Sequence, residues 1–559
     1  MRREITMAFQ VSPGVQVQEI DLTNIVPAVS TSIGGIVGAF QWGPVNEIRT
    51  VGSEKELASL FGTPNSDTFK YFLTASSFLK YTNALKVVRA VGNAARNSNN
   101  GTTKSLVENQ EDYENTTLAN HGEFMAKYPG TLGNSLEVHV CSSGAAFAGW
   151  DYAGLFDSAP GTSTYTSTLG GTNDEMHIVI IDAGGSITGE PDTILETFAF
   201  VSQASDARKQ DGTSNYYKEV INNSSAWVWW TGHDSGLTDA GLLASNQDFT
   251  TAVTAGVYTL AGGLDDHAVT SGDLTNGYSL FEDAETVDVN LVMDASGDST
   301  VQGYLITIAE ARKDIVVFLS PPIDSTVGSL TPATSVKSWA DALTSTSYAV
   351  ADSTALKVYD KYNDVFRWIP AAGHVAGLCA KTDQTNDAWW SPAGYTRGQL
   401  LGVTKLAFNP KKADRDTLYK ARVNPIVAFP GEGTILFGDK TLLAKPSAFD
   451  RINVRRLFIV LEKAVATAAK YQLFEFNDEF TRAMFKNMVE PFLRDVKGRR
   501  GVTDFLVVCD GTNNTGEVID RNEFVADIYI KPARSINFIS LNFIATRTGV
   551  DFAEIVGKV

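Results

Sequence analysis

The amino-acid sequence predicts an α+β protein of several domains. Its length of 559 residues suggests about three domains, and 43% hydrophobic residues supply ample material for their cores. Segments with the helical period and segments with the alternation of a strand both occur. The charge is uneven, because residues 101–345 hold 33 acidic and 8 basic side chains whereas the remainder holds 31 and 38. We therefore expect an acidic middle between two mildly basic terminal regions.

The composition argues against several classes of protein. No apolar run approaches the roughly 20 residues of a membrane span. The N-terminal arginines of MRREITMAFQ precede no apolar stretch, so we expect no secretory signal. The sequence pI of about 4.9 argues against nucleic-acid binding. Cys141, Cys379 and Cys509 are scattered and odd in number, which argues against disulfides and a zinc site.

The N-terminal segment contains one candidate strand. Pro13-Gly14 marks a turn, and Val15 and Val17 then alternate with glutamines, as in a half-buried strand. At about 3.3 Å per residue, ten such residues reach roughly 33 Å, which is far enough to cross onto a neighbouring molecule. An edge strand of the chain's own domain explains the same pattern, and the residues alone leave both interpretations open.

The next region of the chain predicts a β–α–α–β unit. Thr31–Trp42 reads as a strand with glycines at close contacts, followed by a short strand at Glu47–Val51. Ser53 to Glu56 forms a capping box that begins a helix through Leu60. Thr68–Tyr81 predicts a second helix, and Ala84–Val91 predicts a buried strand.

The acidic middle divides into two predicted domains. Residues 93–185 begin with a polar, linker-like stretch, and the stretch that follows, rich in Thr, Ser and Gly, reads as β-rich. Residues 186–345 alternate helix and strand. Within them, Val287–Met293, a helix near Val301–Arg312 and Ile315–Leu319 have the order of a βαβ unit. The acidity of this region favours a solvated, solubilising surface.

The C-terminal region predicts two helices. The first runs from about Val454 to Phe474, and the second begins at the N-cap pair Asn477–Asp478. We expect Pro491 to kink or restart the second helix. Its predicted apolar face consists of Phe480, Met484, Met488 and Phe492.

Three predicted strands follow these helices, at Asp504–Cys509, Glu523–Ile530 and Ser535–Thr546. The segment after them is half apolar almost to the last residue. A strand at a chain terminus leaves backbone donors and acceptors that another chain can fill.

This C-terminal region resembles the contractile tail sheath proteins of bacteriophages. The matching strings are long: NDEFTRAMFKNMVEPFLRDVKGRRG, then VVCDGTNNTGEVIDRNEFVADIYIKPARSINFISLNFIAT, then GVDFAEI. The resemblance also includes GAFQWGPVNEIRTVGSEKELASLFG near the N-terminus and IPAAGHVAGLCAKTD at Ile369–Asp383. Together these matches extend over about residues 1–92 and 350–559.

The resemblance implies a sheath core that is built from the N- and C-terminal segments of the chain, with the middle of the chain inserted between them. The core consists of a mixed sheet with flanking helices. The domains that we predict on this basis are an N-terminal arm (1–22), a first core segment (23–92), an inserted β-rich outer domain (93–185), an inserted α/β domain (186–345), a second core segment (346–450) and a C-terminal sheath domain with a C-terminal arm (451–559).

The resemblance also implies a function and partners. It implies a homo-oligomer in six-fold helical stacks around a tail tube protein, with baseplate and tail terminator proteins at the ends, located in the virion tail and assembled in the host cytoplasm. It favours the interpretation of the N-terminal strand as an arm. The predicted arm contacts between subunits are Val15, Val17, Ile20, Phe543, Val550, Phe552 and Ile555.

A basic cluster near the end of the second C-terminal helix is the predicted tube-facing surface. Residues 451–500 hold eleven basic and six acidic side chains, which suits weak contact with an acidic tube. The candidates are Lys486, Arg494, Lys497, Arg499 and Arg500. A solvated helix face with a C-terminal charge cluster is the alternative interpretation.

No motif points to an enzyme, a cofactor or a metal. Gly433 to Thr441 approaches a phosphate-binding loop, but Asp439 precedes the lysine and brings negative charge to the anion site. The six histidines show no HExxH pattern, and we expect His374 to be a core residue. Trp227–Trp230 is either an aromatic contact platform or core.

Two alternatives to a phage sheath remain open on sequence alone. One is the sheath of a phage-derived contractile particle such as a bacteriocin. The other, of a different class, is an enzymatic or host-binding activity in the inserted middle.

Overall fold

The computed structural model describes residues 30–234, 236–250, 256–537 and 540. Its strands are β1 Gly34–Gly38, β2 Arg49–Val51, β3 Leu85–Arg89, β4 Phe124–Ala126, β5 Leu136–Cys141, β6 Glu175–Asp182, β7 Thr193–Ser202, β8 Val228–Trp230, β9 Gly256–Thr259, β10 Leu291–Met293, β11 Val316–Leu319, β12 Ala349–Asp352, β13 Leu356–Asp360, β14 Val365–Ile369, β15 Val403–Leu406, β16 Val423–Asn424, β17 Ile426–Phe429, β18 Gly433–Leu436, β19 Val502–Val508 and β20 Asp527–Pro532.

Its helices are α1 Glu54–Phe61, α2 Phe69–Leu79, α3 Gln110–Asn115, α4 Gly144–Phe147, α5 Thr164–Thr168, α6 Tyr217–Ser224, α7 Ser271–Ser279, α8 Ser299–Arg312, α9 Pro332–Ala342, α10 Ala372–Thr385, α11 Lys412–Lys420, α12 Ile452–Ala469, α13 Glu479–Gly498 and α14 Gly516–Asp520. The predicted α+β class is confirmed. The described chain forms two compact units: a large unit of residues 30–459 with 534–537 and 540, and a C-terminal unit of residues 460–533.

A seven-stranded sheet is the centre of the large unit. Its strand order is β16-β12-β11-β10-β1-β3-β2, and every neighbouring pair is parallel except β3 with β2. Strands β1, β10, β11 and β12 are buried along their whole length. Parallel strands covered on both faces read as continuous apolar runs, which explains sequences such as VVFL in β11.

Strand β1 shows why helices cover both faces of this sheet. A Cβ on Gly34 or Gly38 would lie within 2.5 Å of Phe78 or Tyr71, which belong to α2. Val37 points the other way, and a Cβ on Gly277 of α7 would lie 2.5 Å from it. Because successive strand residues face opposite sides, α2 and α7 pack on opposite faces. The expectation of close contacts at the strand glycines is confirmed.

The helix start and the βαβ unit predicted around this sheet agree with the structure. Ser53 caps helix α1, because its hydroxyl accepts a hydrogen bond from the Glu56 amide. The Glu56 carboxylate accepts from the Gly52 amide and not from the Ser53 amide of the predicted capping box. The predicted βαβ unit is confirmed, because β10, α8 and β11 follow one another and the two strands pair in parallel. Asp298 caps α8 by accepting from two backbone amides.

The predicted boundaries of the inserted domains do not coincide with the observed sheets. Strands β7, β8 and β9, which follow residue 185, pair with β6, β4 and β5 in the β-rich region. Strands β10 and β11, which precede residue 345, belong to the same sheet as β1 and β3. Gly34 pairs with Leu291, and no local pattern in a single sequence signals a pairing over that separation.

A buried arginine links the core to the β-rich region. The Arg89 guanidinium donates to four backbone carbonyls, of Phe40, Gln41, Gly43 and Pro129. Burial lowers the pKa of Arg89 to about 9. Through these four hydrogen bonds the side chain joins the end of β1 to the start of the β-rich region.

A second buried cation anchors α12 within the large unit. Arg456 forms an ion pair with Asp383 of α10 and donates to the carbonyls of Cys379 and Thr31. Both side chains of the pair are almost fully buried. The interaction therefore connects three segments that are far apart in sequence.

The C-terminal helices differ from their prediction in two respects. Helix α13 is continuous through Pro491, so of the predicted kink or restart the restart is wrong and the kink stays a prediction. Its buried residues are Thr481, Phe485, Met488, Val489, Leu493 and Val496. Phe480, at the start of the predicted apolar face, is exposed instead. The helix therefore buries a face rotated from the one that the sequence pattern suggested.

Candidate assembly interface in the C-terminal unit

The C-terminal unit contains a sheet of only two strands. Strands β19 and β20 pair in antiparallel register, with Leu506 opposite Tyr529 and Val507 opposite Ile528. Val507 is buried, whereas Leu506 and Tyr529 are exposed on the other face. One face of the sheet is therefore covered and the other is open and partly apolar.

Helix α13 and the connection between the strands support this small sheet. The Phe485 ring packs edge-on against Phe524, with centroids 5.4 Å apart. Asn514 accepts from the Val525 amide and donates to the Val525 carbonyl, at 2.9 and 2.7 Å. The side chain of Asn513 donates to the Val508 carbonyl at 2.8 Å. These contacts hold the connection in place without a third strand.

The outer edges of β19 and β20 carry no further strand within the described ranges. Strands of seven and six residues therefore leave a row of backbone donors and acceptors beside each edge. Such edges are templates on which an additional extended chain can form a sheet.

The predicted arm residues Val15, Val17, Ile20, Phe543, Val550, Phe552 and Ile555 all lie outside the described residues. Their contacts therefore stay a prediction. The segment that leads to the C-terminal arm is described as far as Asn537, together with residue 540.

Asp439 binds that segment. Its carboxylate accepts hydrogen bonds from Ser535 at 2.7 Å and from Asn537 at 3.1 Å, and Ser391 donates to it at 3.1 Å. The Arg451 guanidinium lies 3.8 Å away. We call Asp439, Ser535 and Asn537 the Asp439 clamp. The aspartate that departs from the phosphate-loop pattern thus holds the segment of residues 535–537.

The predicted tube-facing residues lie along α13 and at its C-terminal end. Lys486 pairs with Glu490 at 3.8 Å, and Lys497 pairs with Asp504 of β19 at 3.0 Å. Arg499 pairs with Asp495 at 2.8 Å, and Arg494, Lys497, Arg499 and Arg500 are all exposed. The structure therefore places three of the five on α13 and Arg499 and Arg500 directly after it, and their role toward a tube stays a prediction.

Arg500 has a positive φ of 67°, and the Gly501 amide donates to the Val496 carbonyl. A left-handed residue just past the last turn ends a helix and satisfies its open carbonyls. The basic cluster consequently coincides with the negative end of the α13 dipole, which stabilises cations there.

A run of exposed apolar side chains from the end of α12 to the first turn of α13 was not predicted from the sequence. Tyr471, Leu473, Phe474, Phe476 and Phe480 are 63 to 105% exposed. Phe474 also has a φ of 70°, which is rare for a bulky residue. The signal in the sequence was an apolar cluster without helical period beside the cap pair Asn477–Asp478.

The remaining sequence candidates are core residues. His374 is fully buried, burial lowers its pKa to about 3, and its Nδ1 lies 3.0 Å from the Tyr81 hydroxyl. Trp229 is buried, and its indole donates to the Lys127 carbonyl. All three cysteines are free and buried. Within the described ranges, no group of three or more His, Cys, Asp or Glu side chains is arranged to hold a metal.

No helix among the described residues is long and apolar enough to cross a bilayer. The open two-stranded sheet and the exposed apolar run are features of the class of proteins that assemble with other chains.

Comparison with known families identifies that class. Family models match residues 31–90 (tail sheath protein Gp18 domain III N-terminal region), 267–442 (phage tail sheath protein central domain) and 444–546 (phage tail sheath C-terminal domain). The chain is 35% identical to the tail sheath proteins of Vibrio phage KVP40 and Enterobacteria phage T4, over 98% of this chain and 99% of each relative. The protein therefore belongs to the phage tail sheath family.

Solved structures share its fold at low sequence identity. A sheath tail protein of Listeria innocua gives a TM-score of 0.55 at 12% identity, over 91% of this chain and 93% of that one. The sheath of an extracellular contractile injection system in its contracted state gives 0.52 at 14% identity, over 97% and 99%.

Proposed function

We propose that the protein polymerises into the contractile sheath of a phage tail and that contraction of this sheath drives the inner tube through the host envelope during genome delivery. The identity of 35% to phage tail sheath proteins, which extends over 98% of this chain, carries the proposal. We place the protein in the virion tail and assign it a mechanical role without catalysis.

Strand addition is the proposed means of polymerisation. The N-terminal arm of one neighbour, through Val15, Val17 and Ile20, and the C-terminal arm of another would extend the sheet at the outer edges of β19 and β20. The open edges of these strands support this arrangement. Backbone hydrogen bonds are insensitive to side-chain identity, so they hold while whole subunits rotate and slide.

The Asp439 clamp would fix the point from which the C-terminal arm leaves its own subunit. Two hydrogen bonds from Ser535 and Asn537 to one buried carboxylate limit the directions open to the residues that follow. A fixed departure point lowers the entropy that is lost when the arm binds a neighbour.

The basic cluster of α13 would face the tube. Lys486, Lys497 and Arg499 already have acidic neighbours on their own chain, so contact with an acidic tube exchanges one exposed ion pair for another. Exposed ion pairs contribute little net free energy, about 0–1 kcal/mol each. Contacts of that strength suit a tube that has to be released during contraction.

Contraction would draw on the lattice itself. An extended sheath is a metastable arrangement, and new contacts between subunits supply the free energy when it shortens. We expect six-fold stacked rings, with a baseplate at one end and a terminator at the other, assembled in the host cytoplasm.

Deletion of residues 1–20 tests the proposal. The truncated protein should fold, remain monomeric and form no tubes by electron microscopy, whereas the full chain forms them. Tubes of unchanged length from the truncated chain would contradict the exchange of arms.

The tube contact has a separate test. Charge reversal at Lys497, Arg499 and Arg500 should leave the monomer folded and impair assembly on purified tubes. Charge reversal of Lys209 and Lys218, which lie in the acidic middle, is the control. Normal assembly of the α13 variant on tubes would contradict the assignment.

A further inference from the structure

Residues 471–480, here called the aromatic loop, expose more apolar surface than a monomeric protein normally does. A Phe or Tyr side chain buries roughly 150–250 Å² when it is covered. The five exposed side chains of the loop therefore offer on the order of 700 Å², close to the roughly 800 Å² that each partner contributes to a standard interface. Patches of this size mark interaction sites.

The aromatic loop is held in a defined conformation despite its exposure. Asn477 donates to the Glu523 carbonyl at 2.7 Å, and Arg482 donates to the Asn477 side chain at 2.7 Å. Phe474 adopts its left-handed backbone within this frame. Strain at an exposed aromatic residue is typical of a preorganised contact surface, because a rigid surface loses less entropy on binding.

The charges of the aromatic loop are acidic. Glu475 and Glu479 are exposed between and beside the aromatic side chains, together with the cap residue Asp478. A partner surface should therefore combine aromatic area with positive charge.

The large unit carries a surface of that kind, on the outer face of the sheet β14-β13-β15. In this sheet Tyr359 lies opposite Phe366, and Lys357 lies opposite both Trp368 and Lys405. Tyr359 and Phe366 are about half exposed, with ring centroids 5.4 Å apart. We call these five residues the lysine–aromatic face.

Two lysines that face each other give this surface an unbalanced positive charge. Like charges directly opposite one another destabilise a sheet, and neither Lys357 nor Lys405 forms an ion pair with an acidic side chain in the described region of the chain. The Lys357 ammonium lies 5.4 Å from the Trp368 ring centroid, which is its nearest compensating group. An acidic partner would remove the repulsion.

We infer that the aromatic loop of one copy docks on the lysine–aromatic face of a second copy. The contact places Glu475 and Glu479 beside Lys357 and Lys405, and it covers the aromatic side chains on both sides. Loop and face are different surfaces of one chain, so the contact is head-to-tail and propagates from copy to copy instead of closing a pair. The inference rests on the proposed sheath function and adds a side-chain contact to the exchanged strands.

Charge exchange tests the inference. The pair E475K/E479K should raise the protein concentration needed for tube formation roughly tenfold or more, and K357E/K405E should do the same. The variant with all four changes should assemble like the parent, because the charges are complementary again. The control E517K/D520K reverses two exposed acids of α14 in the same unit and should have no effect.

Disulfide formation gives a second readout that does not depend on stability. The three native cysteines are buried. When F476C and F366C chains are mixed and oxidised, a covalent dimer should form that neither variant forms alone. Each chain carries only one of the two new cysteines, so a contact within one chain cannot produce a covalent dimer. The absence of a dimer in the mixture would therefore overturn the inference.

Two further results with the E475K/E479K variant would each overturn the inference. If the E475K/E479K variant forms normal tubes alone but fails to bind tail tube protein, the loop faces the tube and the inference is wrong. If it assembles normally in both respects, the inference is wrong while the exchange of arms, which the deletion of residues 1–20 tests, is unaffected.

Discussion

The two sheets at the centre of the large unit and of the C-terminal unit differ most at their edges. The seven-stranded sheet ends in β2 and β16, which are only three and two residues long. The two-stranded sheet ends in β19 and β20, of seven and six residues. Very short edge strands protect a sheet from pairing with other chains, and long open ones invite it.

The buried polar groups show the same difference. In the large unit, Arg89, Arg456 and Asp439 hold together segments that are distant in sequence. In the C-terminal unit, the basic residues of α13 pair at the surface, and large aromatic side chains face solvent. The large unit therefore has short sheet edges and buried internal ties, whereas the C-terminal unit has open strand edges and exposed aromatic side chains that suit contacts with other chains.

The largest expected effect is a loss of stability in the large unit. Arg456→Met leaves Asp383 buried without its partner, and loss of one member of a buried ion pair costs about 3–5 kcal/mol. The urea-induced unfolding transition should shift accordingly. The double variant R456M/D383L should recover most of this loss, because no unpaired charge remains. Equal destabilisation of the single and double variants would show that the pair is not what holds α12.

A smaller effect concerns pH in the same unit. Burial raises the pKa of Asp352 to about 8, and this carboxyl bonds with Ser320 and with the Thr354 amide. Between about pH 4 and 8 the folded chain keeps this proton and the unfolded chain has lost it, so stability falls as the pH rises. Buried Asp294 nearby, whose pKa burial also raises, acts in the same direction.

Asp352→Asn should therefore flatten the decrease in melting temperature between pH 5 and 8. The control D211N removes an exposed carboxyl whose pKa is lowered by its hydrogen bonds with Thr213, so it should alter the slope of stability against pH only near pH 4 and below and leave the slope between pH 5 and 8 unchanged. A D352N profile parallel to that of the parent would contradict the assignment of the proton to Asp352.

The smallest expected effect concerns the stability of the C-terminal unit and its role in tube formation. Phe474→Asn should stabilise the monomer by about 1 kcal/mol, because asparagine tolerates a positive φ that costs other residues roughly 1–2 kcal/mol. The same change should weaken tube formation. Phe476→Asn, at a position without positive φ, should weaken assembly without stabilising the monomer. Equal melting temperatures for F474N and F476N would show that the strain is absent.

The sequence predicted the features that depend on neighbouring residues. The cap at Asp478, the first helix from Ser53 and the unit β10–α8–β11 all follow from local patterns. The pairing of Gly34 with Leu291 was not predicted, because it depends on the packing of segments 257 residues apart. The strand pairings that cross the predicted domain boundaries were not predicted for the same reason.

The candidate site was predictable only to a limited extent. The strands of the C-terminal unit and the basic end of α13 were predicted from local sequence patterns, since each depends on residues that are continuous in the sequence. The apolar face of α13 was misassigned, because Phe480 is an exposed residue in a helical pattern that otherwise marks burial. The role of Asp439 required Ser391 and Ser535, which are remote in sequence.

Amide hydrogen exchange tests the central claim most directly, namely that other copies complete the sheet of β19 and β20. It should be measured on assembled tubes and on the monomeric chain that lacks residues 1–20. We predict that amides at the outer edges of β19 and β20 exchange at least a hundredfold more slowly in tubes, while those of β1, β3 and β10 exchange alike in both. Equal exchange of the β19 and β20 amides in tubes and monomer would contradict the account.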